Sequence, residues 1–538
     1  MPSASLHLQT GAECIIIINE NKGKRQCCIL GGTSAKTKTQ AASAATKVKE
    51  AMMKNQAVNP YMPSWEYVPD GEPHVFGDRV YVYGSHDQFD GVSFCLLDYV
   101  CWSAPVDDLS DWRFEGTIYR REQDPDGRPG MMNAMYAPDV CRGADGRYYL
   151  YYFLGYRGLI CVAVCDTPAG KYEYYGHVKY ADGTLLGKKD EPLQFDPGVF
   201  VDEDGKIYLY TGFGPVNYPR ILLGGHKPSP HGAMGFELEP DMLTIKSGPA
   251  YIGVLGKTDG VGTPYEGHEF FEASSMRKFG GKYYFIYSAF GGHELCWAVS
   301  DKPLEGFRFG GTLVSNGDIG MPGVNDVAGA LNVTGNTHGS VVEIGGKYYV
   351  FYHRHTNRHA FSRQACAEQI AFENGSFSQA EMTSCGLNGG PLKAEGEYGA
   401  YIACNLYSER GNYFSGVLKK GKGKRPYFTQ SGKDREEAGD QYIANFCDGS
   451  TAGFKYFDFE GCNRVGVTMR GRAMGKMVVR DRRDGSPVAE IPVSCAQGTQ
   501  TFYAPLRIEK GVKPLYFTFC GKGKPDFVSI SLSTVSEQ

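Results

Sequence analysis

Gly77-Asp78-Arg79-Val80-Tyr81-Val82-Tyr83 is the first of five passages in which a glycine turn runs into β-branched and aromatic residues. The others are Gly146-Arg147-Tyr148-Tyr149-Leu150-Tyr151, Gly205-Lys206-Ile207-Tyr208-Leu209-Tyr210, Gly281-Lys282-Tyr283-Tyr284-Phe285-Ile286-Tyr287 and Gly346-Lys347-Tyr348-Tyr349-Val350-Phe351-Tyr352. Their glycines lie 69, 59, 76 and 65 residues apart. Each passage has the composition of a buried strand entered from a tight turn. A unit of this length is too long for a solenoid repeat and fits one four-stranded blade with a long loop. Five units predict an all-β chain whose main domain, residues 56–395, is a five-bladed β-propeller.

The repeat also aligns polar residues that otherwise look unrelated. Asp70 and Asp139 each precede their glycine by seven residues, Asp196 and Glu272 by nine, and His338 by eight. A nearly constant offset puts all five at the same topological place, just upstream of the repeated strand. If that strand lies near the axis, four carboxylates and a histidine converge on one end of the central channel. Mutual repulsion and desolvation make such a cluster a poor device for stability and a good one for separating pKa values. Taken singly, Asp70-Gly71 and Asp196-Pro197 read as turn chemistry. Their shared phase in the repeat weighs against that, and Glu272, in Phe270-Phe271-Glu272-Ala273-Ser274, is not in a turn context at all.

Composition narrows the ligand. The formal net charge is -4 and no Lys/Arg stripe marks the propeller, so a nucleic-acid partner is not expected. No apolar run approaches the roughly 18 residues needed to cross a bilayer, so neither is a membrane partner. Aromatic residues with carboxylates suit a neutral, polyhydroxylated ligand. The 16 cysteines lack metal-ligand spacing, Cys27-Cys28 and Cys161-Val162-Ala163-Val164-Cys165 being the tightest groupings. Cys101, Cys296 and Cys520 sit in strand-like runs as small hydrophobes. Without a secretory signal pattern, a reduced, cytoplasmic protein is expected.

The two ends differ from the middle. Residues 1–55 combine Cys14-Ile15-Ile16-Ile17-Ile18 with a Lys/Thr/Ala-rich stretch and are expected to form a poorly ordered leader. Residues 396–538 lose the glycine-tyrosine repeat but keep strand candidates at Gly453–Phe459, Val465–Arg470, Lys476–Arg480 and Pro514–Phe519, which predict a β-sandwich. Gly416–Arg435, rich in Gly, Lys and Arg, reads as a long exposed loop before it.

Several motifs carry a family resemblance. Tyr67-Val68-Pro69-Asp70-Gly71-Glu72-Pro73-His74-Val75-Phe76 with Tyr81-Val82-Tyr83-Gly84-Ser85-His86-Asp87 resembles the first-blade signature of glycoside hydrolase family 43. Met135-Tyr136-Ala137-Pro138-Asp139-Val140, Phe195-Asp196-Pro197-Gly198-Val199-Phe200 and Gly335-Asn336-Thr337-His338-Gly339-Ser340 resemble later ones, in order, across residues 59–380. The C-terminal region resembles a family 6 carbohydrate-binding module at Asp448-Gly449-Ser450 through Phe459 and at Arg470-Gly471-Arg472-Ala473. All four tryptophans, Trp65, Trp102, Trp112 and Trp297, lie before it, so it is expected to support the propeller and to bind sugar weakly or not at all.

The resemblance implies an inverting hydrolase that removes xylose or arabinose from plant cell-wall oligosaccharides or polysaccharides. By position, Asp70 would be the general base, Glu272 the general acid, and Asp196 the group that keeps Glu272 protonated and oriented. Asp139 and Arg363 would meet sugar hydroxyls. His338 resembles a histidine that in some members holds a water or a calcium ion in the channel, so calcium is the candidate ion and no cofactor is required. The acid and base carboxyls should stand about 6.5–9.5 Å apart. Two departures, Asp70-Gly71 for Asp-Pro and Glu272-Ala273-Ser274 for a Gly-Pro sequence, should change loop shape more than chemistry. A non-catalytic sugar-binding propeller, or another five-bladed sugar-active enzyme, are the alternatives.

Overall fold

The computed structural model describes residues 56–127, 134–155, 157–187, 191–216, 225–416, 425–436 and 440–536, and the backbone of three strands near the N-terminus. Those three, Ser5–Gln9, Ile15–Asn21 and Lys24–Leu30, pair as an antiparallel meander. The rest of the expected leader lies outside the described residues.

Five antiparallel sheets follow in chain order, each a blade (I to V). Blade I comprises Glu72–Phe76, Arg79–Tyr83, Tyr99–Pro105 and Arg113–Tyr119. Blade II comprises Met135–Arg142, Tyr148–Leu154, Leu159–Cys165 and Glu173–His177. Blade III comprises Gly198–Val201, Ile207–Thr211, Gly232–Leu238 and Ile245–Leu255. Blade IV comprises Phe270–Phe279, Lys282–Ala289, Glu294–Ser300 and Arg308–Ser315. Blade V has three strands, Val341–Ile344, Lys347–His355 and Arg363–Ile370. The outer edge of its third strand is met by the segment entering blade I: Tyr61 N donates to Ala365 O at 3.3 Å and Ala367 N to Asn59 Oδ1 at 3.1 Å.

The repeated glycine-aromatic passage is the second strand of every blade, not the first. Its side chains are apolar in both phases because both sheet faces are covered by neighbouring blades. In blade II, Tyr148, Leu150 and Tyr152 pack toward blade I, beside Tyr83, Tyr99 and Cys101. Tyr149, Tyr151 and Phe153 pack toward blade III, beside Val199, Leu209 and Phe236. Equivalent clusters lie between blades III and IV, IV and V, and V and I. The core is therefore five inter-blade seams, and the last one closes the ring. First strands of successive blades lie against one another around the axis. Ser275 Oγ and Ser340 Oγ at 2.7 Å, and Arg277 Nε donating to Val341 O at 3.0 Å, join IV to V.

The C-terminal region is a sandwich of two six-stranded sheets over one apolar core that includes Phe454, Phe457, Phe517, Phe527 and Ile530. All four strand candidates of the sequence lie in strands of it. The reading of Gly416–Arg435 as an exposed loop is corrected in part. Tyr427–Gln430 is a strand paired with Gln441–Ala444, and Phe428, Thr429 and Gln430 are buried. Its β-branched and aromatic core, Tyr427-Phe428-Thr429, was masked by flanking Gly, Lys and Arg. Among the described residues no helix is long and apolar enough to cross a membrane.

Candidate active site

The aligned polar residues enter at the first strand of each blade, with unusual backbone. Asp70 and Asp196 stand two residues before their strands with φ of 58° and 47°. Glu272 lies within Phe270–Phe279 at a bulge, where the register with the second strand shifts, and Ala273 after it has φ 69°. Left-handed backbone at non-glycine residues is strained and collects at functional sites. Ala273 is one of the two departures from the family motif, and it occupies the conformation a glycine adopts without strain. Gly198 brings two of these turns together. A Cβ there would lie 2.4 Å from Ser274 O and 2.9 Å from its carbonyl carbon, so only glycine lets blades III and IV approach this closely.

Asp70, buried, faces a fixed cation. Arg363 donates from Nη1 to Asp70 Oδ1 at 2.8 Å, from Nε to Asp87 Oδ2 at 2.9 Å and from Nη2 to Asp87 Oδ1 at 3.0 Å. The guanidinium is 2% exposed and stacks on Phe94 at 4.9 Å, so it is not a surface ion pair. Burial opposes the Asp70 charge, but Arg363 foremost, with His338, holds the carboxyl below the usual range. His353 completes the surround. Asp70 N donates to its Nδ1 at 3.3 Å, and its Nε2 lies 2.8 Å from Asn336 O, which makes it the neutral Nε2–H tautomer. Burial and Arg363 likewise push its pKa well down.

Glu272 sits in the opposite environment. Burial first, then the charges of Asp196 and Asp70, raise its pKa to about 8, with His338 and Arg363 opposing. Asp196 is also raised, mainly by burial. A chain of aromatic rings runs through this region: Tyr136 and Phe195 at 5.3 Å, Phe195 and Phe213 at 5.1 Å, Phe213 and Phe271 at 5.3 Å, Phe271 and Phe290 at 5.8 Å. Phe195 and Phe271 are the chain neighbours of Asp196 and Glu272.

His338 lies between two carboxylates, Nδ1 at 3.5 Å from Asp196 and Nε2 at 3.6 Å from Glu72. Burial alone would lower its pKa, yet the two carboxylates raise it well above the ordinary value. Both ring nitrogens face carboxylates, and Ca²⁺ prefers oxygen donors, so His338 in this arrangement is a poor calcium ligand. Asp139 stands apart from the group around Asp70. Its Oδ1 accepts from His74 Nε2 at 2.7 Å and Val140 N at 2.8 Å, and its Oδ2 from Val199 N at 2.8 Å. It ties blades I, II and III together and is 1% exposed. Thus Asp70, Asp196, Glu272, His338 and Arg363 form one electrostatic group, while Asp139 has other partners. Sequence reasoning missed Asp87, His353 and Glu72. Asp87 was within a quoted motif, but only its bidentate geometry with Arg363 reveals what it does.

The site lies in a region that matches a known family. The model for glycosyl hydrolases family 43 matches residues 68–377. A xylosidase/arabinosidase of Thermoclostridium stercorarium is 50% identical over 485 residues, which cover 90% of this chain and all of that protein. A beta-xylosidase of Xylanibacter ruminicola is 30% identical over 309 residues, 54% of this chain and 88% of its own. Among solved structures, a family 43 arabinoxylan arabinofuranohydrolase from Bacillus subtilis in complex with cellotetraose covers 89% of this chain and 97% of its own, at 20% identity and TM-score 0.45. With the family model spanning all five blades and half the residues shared with one relative, the chain belongs to glycoside hydrolase family 43.

Proposed function

We propose that the protein is an inverting exo-acting glycosidase that releases terminal xylose or arabinose from plant cell-wall oligosaccharides. The observation that carries this reading is the opposed tuning of two carboxyls in one group: Asp70 held ionised by Arg363, and Glu272 held protonated to about pH 8 by burial and by Asp196. Such a pair is what acid and base catalysis at neutral pH needs. Asp70 takes a proton from a water molecule as that water attacks the anomeric carbon. Glu272 gives its proton to the glycosidic oxygen as the C–O bond breaks on the opposite face, so configuration inverts. Asp70 ends protonated and Glu272 ionised, and exchange with solvent resets both. Asp196 keeps the Glu272 proton in place without transferring one. Arg363 orients the base, its fork being held between Asp70 and Asp87.

The choice of xylose and arabinose rests on the relatives' activities, not on this geometry. In the sandwich, the ring of Tyr442 is covered by Arg470 at 4.2 Å and that of Tyr503 by Arg464 at 3.9 Å, and the Tyr456 hydroxyl donates to Glu381 at 2.7 Å. These occupied rings support a sandwich that braces the propeller rather than one that binds carbohydrate as a family 6 module does. Incubation with aryl β-xyloside, aryl α-L-arabinofuranoside and arabinan tests the main reading. Release from one or both aryl glycosides, without internal cleavage of arabinan, is expected. No hydrolysis of any of the three would leave the sugar-binding propeller as the better description.

A further inference from the structure

Blade II carries, outside the catalytic group, three side chains that face one another without a common hydrogen-bonding scheme. Cys161 on the third strand and His177 on the outermost are cross-strand partners in the antiparallel register. Asp124, just after the short 3-10 turn Arg121–Gln123, comes over them from a loop. A ligand atom of each lies within 4.8 Å of the other two. His177 Nε2 points at Asp124 Oδ1 from 3.8 Å, too far for a hydrogen bond, and is buried with no hydrogen-bond partner. The imidazole is 10% exposed and the Asp124 carboxylate 0%.

The carboxylate is already oriented. Asp124 Oδ2 accepts from the Tyr152 hydroxyl, Oδ1 accepts from Asp126 N at 2.8 Å, and Tyr152 is in turn 3.0 Å from the Tyr119 hydroxyl. Outer hydrogen bonds of this kind fix the ligands of metal centres. Two other groupings of the same residue types do not share the feature. His268 is 2.7 Å from Glu294, whose other oxygen takes the Thr312 hydroxyl, and His74 is 2.7 Å from Asp139. Of these three groupings, only the one at blade II holds a buried imidazole nitrogen without a hydrogen-bond partner.

We propose that Asp124, Cys161 and His177 form a structural zinc site with water as the fourth ligand. Thiolate, imidazole and carboxylate together are the donor set of Zn²⁺, not of Ca²⁺ or Mg²⁺. Tetrahedral bonds of about 2.0–2.3 Å need the three atoms somewhat closer than their present limit, a small inward shift of His177 on its edge strand. Binding replaces the Cys161 thiol proton, which passes to solvent, and gives the His177 nitrogen its missing partner. The ion pins the outermost strand and the Asp124 loop to the blade. The cysteine spacing of the sequence could not reveal this, because the three ligands come from separate elements.

The full chain, stripped with a chelator, is titrated with Co²⁺ and then Zn²⁺. One equivalent of Co²⁺ should give tetrahedral ligand-field bands and a thiolate-to-cobalt charge-transfer band, both displaced by Zn²⁺. Zn²⁺ should also raise the melting temperature. Cys161→Ser is expected to abolish the charge-transfer band, and His177→Gln to weaken Zn²⁺ binding by roughly tenfold or more. His177 is on an outer edge, so its variant carries the test if Cys161→Ser fails to fold. No thiolate band in the natural chain, or a band and affinity unchanged in His177→Gln, would overturn the proposal.

Discussion

Arg363 holds Asp70 and Asp87 on one guanidinium, Nη1 on the first at 2.8 Å and Nε and Nη2 on the second. Asp87 uses both oxygens, which leaves the fork a single orientation toward Asp70. The expected base is thus kept ionised by a cation that cannot swing away. Arg363→Lys offers one point charge in place of the planar fork. It should lower kcat by roughly 10²-fold or more and move the acidic limb of the pH profile upward, because Asp70 then binds its proton more readily. A fall in kcat with an unmoved acidic limb would mean that Arg363 serves sugar binding alone.

Asp196 acts on Glu272 through charge. With Asp196→Asn the second-largest influence raising the Glu272 pKa is gone, so the alkaline limb of kcat should move below its value near pH 8. Activity on substrates with poor leaving groups should fall further than on activated aryl glycosides. Equal losses on both, with the limb in place, would make Asp196 a structural residue.

The raised pKa of Glu272 is also a statement about stability. Unfolded, the group ionises near its ordinary 4.5; folded, it keeps its proton to about 8. Its contribution is fully present below pH 4.5 and is lost as pH rises through 8. Glu272→Gln should therefore stabilise the protein at pH 7, by about 1–3 kcal/mol, while abolishing activity on natural substrates. Melting curves at pH 4 and pH 7 check the sign: the gain should appear only at the higher pH.

The sandwich reaches the base through blade I. Arg435 donates from Nη1 to Glu66 Oε1 at 2.8 Å, its guanidinium near Trp65 at 5.5 Å and Phe114 at 5.6 Å. Glu66 also bonds His86, the residue before Asp87, at 2.9 Å, and Asp434 Oδ1 accepts from Phe89 N at 2.7 Å. Arg435→Ala leaves a buried carboxylate with less compensation and should cost about 1–3 kcal/mol, with a lower kcat. A chain of residues 53–395 alone should be poorly soluble. If that truncation proves as stable as the whole and loses only polysaccharide retention, the sandwich is a binding module and not a brace.

The fold was legible because the seams require it. A second strand covered on both faces must be apolar in both phases, so Tyr148 to Leu154 and its four counterparts stand out as a repeat. The carboxyls proposed for catalysis were legible for a related reason, since a hairpin of nearly constant length follows each one. What could not be read was whatever depends on distant chain segments: the Asp87 fork, the neutral His353, and Arg435, 369 residues from Glu66. Tyr427–Gln430 escaped because its strand character is only four residues long amid glycine and basic residues.

The division of labour between Glu272 and Asp70 is tested most directly by leaving group. Glu272→Ala and Asp70→Ala are assayed on a 2,4-dinitrophenyl glycoside, whose departing oxygen needs no proton, and on xylobiose or an arabinose-substituted xylo-oligosaccharide, whose oxygen does. Glu272→Ala should retain far more activity on the aryl substrate than on the oligosaccharide, and Asp70→Ala should lose activity on both alike. Equal losses in Glu272→Ala on the two substrates would contradict its role as the acid.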